Sequence, residues 1–259
     1  MSEDKKNNSN NLITNIHYLS NSELLKTRNM IKIVLTTFLL LIFLTKTSGQ
    51  VNLDSLSQQI EYANAETQFM FGEMYCFGKG IPIDKKQAFY WFLKSAEQGS
   101  MKAQSNVGYM YYYGDGALID KKQAFYWYKK SAEQGFAEAQ YMLASMFKDG
   151  IGTLTDKKQA FHWYEKSAEQ GHSKAQCNLG AMFKLGEGTL TDMNQAFSWL
   201  KKSADQGYAM AQYNLGIMYY YGRGTTSDKK QAKYWITEAY EQGFEEAKGL
   251  WEDLELWKY

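Results

Sequence analysis

The sequence is short of the residues that usually carry chemistry. Among 259 residues there are three histidines, two cysteines and a single proline, Pro82. Two cysteines are too few for a structural metal site. Cys76 and Cys177 occupy different slots of a repeating pattern, three repeats apart, so they are not expected to meet in a disulfide. His17 sits in a polar head, and His162 and His172 are ten residues apart. Neither of that pair has a cysteine, serine or second histidine at metal-ligand or triad spacing. The chain also lacks an excess of charge of either sign. Its net charge is +1, and after Gly49 there are 23 basic and 25 acidic residues. With no basic field to hold a phosphate backbone, nucleic acid is excluded as an expected partner. No G-x-x-x-x-G-K-[ST] segment is present. No catalytic residue, metal or cofactor is expected.

Long apolar runs are scarce too. Residues 1–29 are polar, with NNSNN near the start and no apolar period, and are expected to be disordered. Ile33–Leu44 is the one continuous apolar run, 12 residues interrupted by Thr36 and Thr37. A spanning helix needs about 20 apolar residues, so the run fits the core of a secretory signal better. Residues 30–49 then read as a signal peptide beginning at Met30, with Thr47-Ser48-Gly49 as the small residues before a cleavage site. The alternative is an uncleaved signal anchor translated from Met1. Five basic residues precede the run and one, Lys46, follows it, a bias that places the rest outside the cytoplasm. Either way the repeats are exported to the periplasm or the extracellular side, and membrane contact is confined to residues 31–46 if they are retained. Residues 50–63 form a spacer or N-terminal cap, in which Asp54 or Ser55 would cap a short helix carrying Leu56 and Ile60.

What the sequence has in abundance is self-similarity. Trp91, Trp127, Trp163, Trp199 and Trp235 recur every 36 residues, as do Gly99, Gly135, Gly171, Gly207 and Gly243. Gly72, Gly108, Gly180 and Gly216 keep the same beat, with Ala144 in the remaining slot. A constant period of this length predicts a solenoid, in which each unit packs only on its neighbours. The units run 64–99, 100–135, 136–171, 172–207 and 208–244, followed by a C-terminal capping helix over 245–259.

Within the second unit, Ala103, Val107, Met110 and Tyr111 form a helical stripe. Gly108 interrupts this first, or A, helix. A mid-helix glycine costs about 1 kcal/mol against alanine, so a close neighbour must require it. Gly114-Asp115-Gly116 ends the A helix. Asp120, with Gln123 three residues on, predicts a capping box opening a second, or B, helix, and the pair recurs in every unit. Ala124, Trp127, Tyr128, Ser131 and Ala132 form its buried face. The ends depart from the pattern: Lys233 replaces the phenylalanine of Phe89, Phe125, Phe161 and Phe197, and Leu250, Trp251 and Leu254 give the last segment a face toward the array.

The pattern A-x-x-x-L-G-x-M-Y, then G-x-G, Asp and A-x-x-W-x-x-x-x-A-x-x-G, resembles the Sel-1-like repeat, a relative of the tetratricopeptide repeat. Ala211, Leu215, Gly216, Tyr219, Gly222, Gly224, Asp228, Ala232, Trp235 and Gly243 carry it in the fifth unit. The resemblance implies an all-α, right-handed α/α superhelix that scaffolds protein complexes, with A helices on the concave face and B helices on the convex face. Some exported bacterial members are cysteine-rich, pair helices by disulfides and are linked to β-lactam binding or hydrolysis. A hydrolase of that type, acting on β-lactams or glycans, is the alternative reading, and this chain lacks its cysteine pattern.

The A-helix slots off the buried stripe are the candidate binding groove. They are Lys102, Ser105, Asn106, Tyr109, Tyr112 and Tyr113 in the second unit, and Tyr141, Ser145, Lys148 and Asp149 in the third. The fourth supplies Lys174, Cys177, Asn178 and Lys184, and the fifth Tyr213, Asn214, Tyr220 and Tyr221. Asparagine offers a donor and an acceptor to a peptide amide, and tyrosine offers rigid apolar area with a polar tip. In related tetratricopeptide arrays, asparagine and lysine at such slots hold a peptide backbone or its terminal carboxylate. The expected partner is therefore another protein or a peptide segment of one.

Overall fold

The computed structural model describes residues 53–254 and 256–258. The expected polar head and the apolar run Ile33–Leu44 lie outside them. The chain divides into two units, Met1–Tyr62 and Ala63–Tyr259. The described part of the first holds one helix, α1 (Leu53–Ile60), with Leu56 and Ile60 buried. Asp54 and Ser55 lie inside this helix, so neither caps it as the sequence suggested.

The second unit opens with ten helices of 13 residues each. The A helices are α2 (Ala65–Phe77), α4 (Met101–Tyr113), α6 (Ala137–Asp149), α8 (Ser173–Leu185) and α10 (Ala209–Tyr221). The B helices are α3 (Lys85–Glu97), α5 (Lys121–Glu133), α7 (Lys157–Glu169), α9 (Met193–Asp205) and α11 (Lys229–Glu241). From α2 to α11 each helix packs on its sequence neighbours within this run, and no strand occurs among the described residues. This is the α/α solenoid that the 36-residue period predicts.

The turn between A and B helices follows from two residue types. Gly114 takes a left-handed φ of 78° and its N–H returns to Met110, closing the A helix. The Asp120 carboxylate then accepts the N–H groups of Lys122 and Gln123 at 2.9 and 3.0 Å. The capping box is only half formed. The Asp120 N–H donates to the Tyr111 carbonyl at 3.0 Å, so Gln123 has no free donor to reach back for. Asp84, Asp156, Asp192 and Asp228 repeat both halves of this arrangement.

Close helix approach explains the mid-helix glycines. A Cβ on Gly108 would stand 3.0 Å from the Tyr128 ring, and one on Gly180 would stand 2.8 Å from Leu200 and 3.1 Å from the Ala196 carbonyl. Phe92 and Ile236 fill the same position over Gly72 and Gly216. From the second repeat on, the second glycine of the G-x-G serves a different contact. A Cβ on Gly152 would collide with the Lys121 carbonyl of the preceding repeat, as one on Gly224 would with the Met193 carbonyl. Between repeats, Phe89 meets Tyr111 edge-on at 5.1 Å, and Phe125–Phe147, Phe161–Phe183 and Phe197–Tyr219 copy the pair.

A polar ladder runs through the same interfaces. Gln134 donates to Gln104 at 2.7 Å within a repeat, and Gln104 donates to the Ala96 carbonyl of the previous repeat at 3.1 Å. The ladder continues through Gln140, Gln176 and Gln212, all buried. Ser131 adds a bond from its hydroxyl to the Met101 carbonyl at 2.7 Å. Four of the five periodic tryptophans are buried, whereas Trp199 is half-buried and packs against the central cluster. At the C-terminal end α12 (Glu246–Asp253) gives way to a 3-10 turn, Leu256–Lys258, instead of one longer helix. Leu250, Trp251 and Leu254 pack on Ala232, Ile236 and Ala239, closing the stack.

Candidate functional site

The A helices of successive repeats bring eight of the eighteen predicted groove residues to one cleft of about 420 Å³: Ser105, Asn106, Tyr109, Tyr112, Tyr113, Tyr141, Ser145 and Lys174. Tyr128, Glu138 and Met142 complete its lining. Asn106 and Tyr109 also line a neighbouring cleft of about 270 Å³ with Cys76, Phe77 and Lys85. Ser105 differs from expectation, because it is buried against the stack and forms floor, not wall. Tyr109 and Tyr113 are exposed with ring centroids 4.6 Å apart, and Tyr112 meets Tyr113 at 4.8 Å. Three contiguous tyrosine rings therefore face the opening.

The Tyr112 ring is held in place from the B helix. The Lys121 ammonium donates to the Tyr112 carbonyl at 2.5 Å and lies 3.4 Å from its ring centroid. Lys229 does the same to Tyr220, at 2.7 Å and 3.0 Å. The third and fourth repeats carry lysine, Lys148 and Lys184, in the slot of Tyr112. There the B-helix lysine is diverted or absent: Lys157 turns to Glu187 at 2.6 Å, and the fourth repeat has Met193. Two cations at one spot would repel, and the exchange removes the conflict.

The remaining predicted residues are spread along the array. Lys102 is exposed. Lys148 lies 3.9 Å from the Asp149 carboxylate. Lys184 donates to the Asn214 side-chain oxygen at 3.3 Å, and the Asn214 amide donates to the Met210 carbonyl at 2.8 Å. That asparagine is therefore engaged within the array. Tyr213 packs on Phe244 at 5.2 Å beside the C-terminal cluster, which makes it a packing residue. Tyr220 and Tyr221 form a second ring pair at 5.1 Å, with Tyr221 exposed. Burial raises the Tyr141 hydroxyl pKa, and the Asn178 side chain partly offsets the rise.

Sequence reading passed over Glu138 and weighed His172 only as a metal-ligand or triad candidate. Glu138 shares the slot of Lys102 and Lys174, a signal the period already carried. The His172 Nδ1 accepts the Ala175 N–H at 3.1 Å, capping α8, which leaves Nε2 as the donor to the Glu138 carboxylate at 2.9 Å. The ring stacks on Tyr141 at 4.8 Å. The His172 hydrogen bond, more than any other influence, holds the Glu138 carboxyl below its ordinary range; burial opposes it, and the Lys174 charge reinforces it. The cleft thus offers aromatic faces, one amide, one carboxylate and one free-standing ammonium. Among the described residues no cluster of three histidine, cysteine or acidic side chains could hold a metal ion.

A family model described as the Sel1 repeat matches residues 65–100, 102–136, 137–172, 173–208 and 209–244. Among solved structures the chain is similar to a protective antigen of uropathogenic Escherichia coli with an SLR fold. The identity is 33%, the TM-score 0.71, and the match covers 75% of this chain and 42% of that one. It therefore spans less than half of that relative's length. A Sel1 repeat protein from Oxalobacter formigenes is 35% identical with a TM-score of 0.66, covering 71% of this chain and 75% of its own. No match is found among curated proteins.

Proposed function

Because the chain belongs to the Sel1 repeat family, we propose that it is a scaffold that holds a segment of another protein along its A helices, outside the cytoplasm or at a membrane. Proteins of this family generally bind other proteins and generally do so without catalysis. The observation that carries the reading is the tyrosine-walled cleft over Asn106, with its Tyr112 ring pinned by Lys121. Pre-placed rings lose little rotamer freedom when a ligand arrives, which favours them as binding anchors. Asn106 at the junction of the two clefts can pair with a peptide amide running between them. Lys148, Lys174 and Lys184 further along favour a segment with acidic groups at that end.

A variant with Tyr109, Tyr112 and Tyr220 changed to alanine tests this. It is expected to keep its melting temperature within a few degrees and lose at least tenfold in affinity for the partner captured by the parent protein. Unchanged capture rejects the groove. A passive spacer predicts that outcome together with loss of function on deletion of a whole repeat. Export rests on Ile33–Leu44, and N-terminal sequencing of the mature protein tests it: a start at or near Gln50 supports cleavage. Among the described residues no helix is long and apolar enough to cross a membrane.

The cysteine-rich hydrolase reading finds no support in the thiols. Cys76 and Cys177 are both free, and burial pushes the Cys177 thiol up to about 12. Thiol titration of the native protein should therefore show Cys76 reacting first and Cys177 only on unfolding. A protein with no titratable thiol would reopen that alternative.

A further inference from the structure

One A-helix slot, taken repeat by repeat, holds Phe69, Ser105, Tyr141, Cys177 and Tyr213, and the B-helix slot beside it holds Phe92, Tyr128, Tyr164, Leu200 and Ile236. In the first repeat the Phe69 ring packs on Phe92 at 5.5 Å, and in the third Tyr141 packs on Tyr164 at 5.8 Å. In the fourth, Cys177 and Leu200 share one apolar cluster, and in the fifth Tyr213 packs against the cluster that holds Ile236. The second repeat departs from this. Ser105 carries no ring to offer, and Tyr128 has no ring partner among the described residues. The cleft of about 420 Å³ opens at this position, with Ser105 and Tyr128 both in its lining.

Tyr128 supplies a second, independent observation. It is only 2% exposed and lines the cleft, yet its hydroxyl makes no hydrogen bond to any of the described residues. A buried hydroxyl without a partner costs free energy that a ligand can recover. Burial above all, and after it Tyr113 and Glu138, raise its pKa, so it stays an O–H donor. Around it the cleft offers the Met142 thioether, which suits the edge of a ring, and the Glu138 carboxylate, which accepts a proton donor.

We infer that this cleft is the socket for a tyrosine side chain of the bound segment, whose ring takes the place beside Tyr128 that Phe69 and Tyr141 take in their own repeats and whose hydroxyl exchanges hydrogen bonds with Tyr128 and Glu138. The inference rests on the reading of the A-helix groove as the face that holds another protein. Other side chains fit less well. Phenylalanine would bury the Tyr128 hydroxyl unpaired. An acidic side chain would meet Glu138, which His172 holds ionised, and a basic one would meet Lys174 at the rim.

The probe is p-cresol, the tyrosine side chain as a free molecule, titrated into the full chain with its methionine methyl groups isotopically labelled. It is expected to move the Met142 methyl resonance to saturation in the millimolar range, and toluene, of the same shape without the hydroxyl, should bind roughly fivefold more weakly. Ser105→Tyr copies the third repeat and fills the socket from within. It should abolish the p-cresol response and lower capture of the native partner, with a melting temperature no lower than the parent's by more than a few degrees. Tyr128→Phe keeps the packing and should reduce p-cresol to the affinity of toluene. A Met142 resonance that p-cresol leaves unmoved, or moves equally in Ser105→Tyr, overturns the socket. Toluene binding as tightly as p-cresol overturns the choice of tyrosine, and full partner capture by Ser105→Tyr overturns its use by the partner. The three-tyrosine variant still decides the groove reading by itself, because Ser105 and Tyr128 are unchanged in it.

Discussion

The contacts between and within repeats are nearly the same throughout the array, whereas the outward slots of the A helices change from copy to copy. Asp84, Asp120, Asp156, Asp192 and Asp228 make the same pair of bonds to within a tenth of an ångström. The slot of Tyr112, by contrast, holds cysteine, tyrosine, lysine, lysine and tyrosine in turn, and that of Tyr109 holds glutamate, tyrosine, serine, alanine and isoleucine. A position that must satisfy the same neighbour in each copy has one solution. A position facing solvent or a ligand has none imposed on it by the stack. Repetition therefore marks the scaffold, and its failure marks the surface available for recognition.

That contrast ranks the effects of substitution. Gly180→Leu should be the most damaging, because even a Cβ there meets Leu200 and the Ala196 backbone. A loss of roughly 3 kcal/mol or more is expected, read from denaturant titration, and a variant as stable as the parent would refute the packing account. Gln176→Leu breaks the ladder at its middle: the Ala168 carbonyl loses its side-chain donor, and the Gln206 amide keeps only its 3.4 Å bond to the Lys202 carbonyl. It should cost about 1–3 kcal/mol in the same measurement. Asp156→Ala removes a cap but leaves the backbone turn, for about 0.5–2 kcal/mol. Tyr109→Ala belongs to the other class: stability should stay within about 0.5 kcal/mol while partner affinity falls.

The smallest expected effect concerns pH. The Glu138 carboxyl titrates below its ordinary 4.5, so the ionised form is favoured by folding. Its contribution to stability is present above that value and is lost as pH falls through the lower, folded-state value. Glu138→Gln should flatten the acid limb of the melting-temperature profile slightly. An unchanged limb would show that the His172 contact contributes nothing.

The fold was largely legible from residue identities because its determinants are local and repeated. The Asp120 cap, the Gly114 helix end and the Gly108 close approach each announce themselves by type and spacing. The partner of the Asp120 N–H did not, since the Tyr111 carbonyl that replaces Gln123 depends on the exact path of the turn. The second glycine of the G-x-G was read as a helix end, whereas from the second repeat on its tight contact is with the preceding repeat. The buried glutamine ladder was present as a period, yet glutamine at the surface and glutamine in a network look alike in one dimension. The candidate site was legible only in outline. Slot arithmetic found the tyrosines, but burial of Ser105 and the diversion of Tyr213 to Phe244 depend on what the next repeat or the cap places above them.

Tyr109 and Tyr126 offer a matched pair for the central claim, one on an A helix and one on a B helix, exposed to 48% and 45%. A photo-crosslinking phenylalanine analogue placed at each in turn, in the full chain and with its native partner present, distinguishes the two faces. The account predicts an efficient cross-link from position 109 and background from position 126. Equal yields, or a cross-link from position 126 alone, would contradict it.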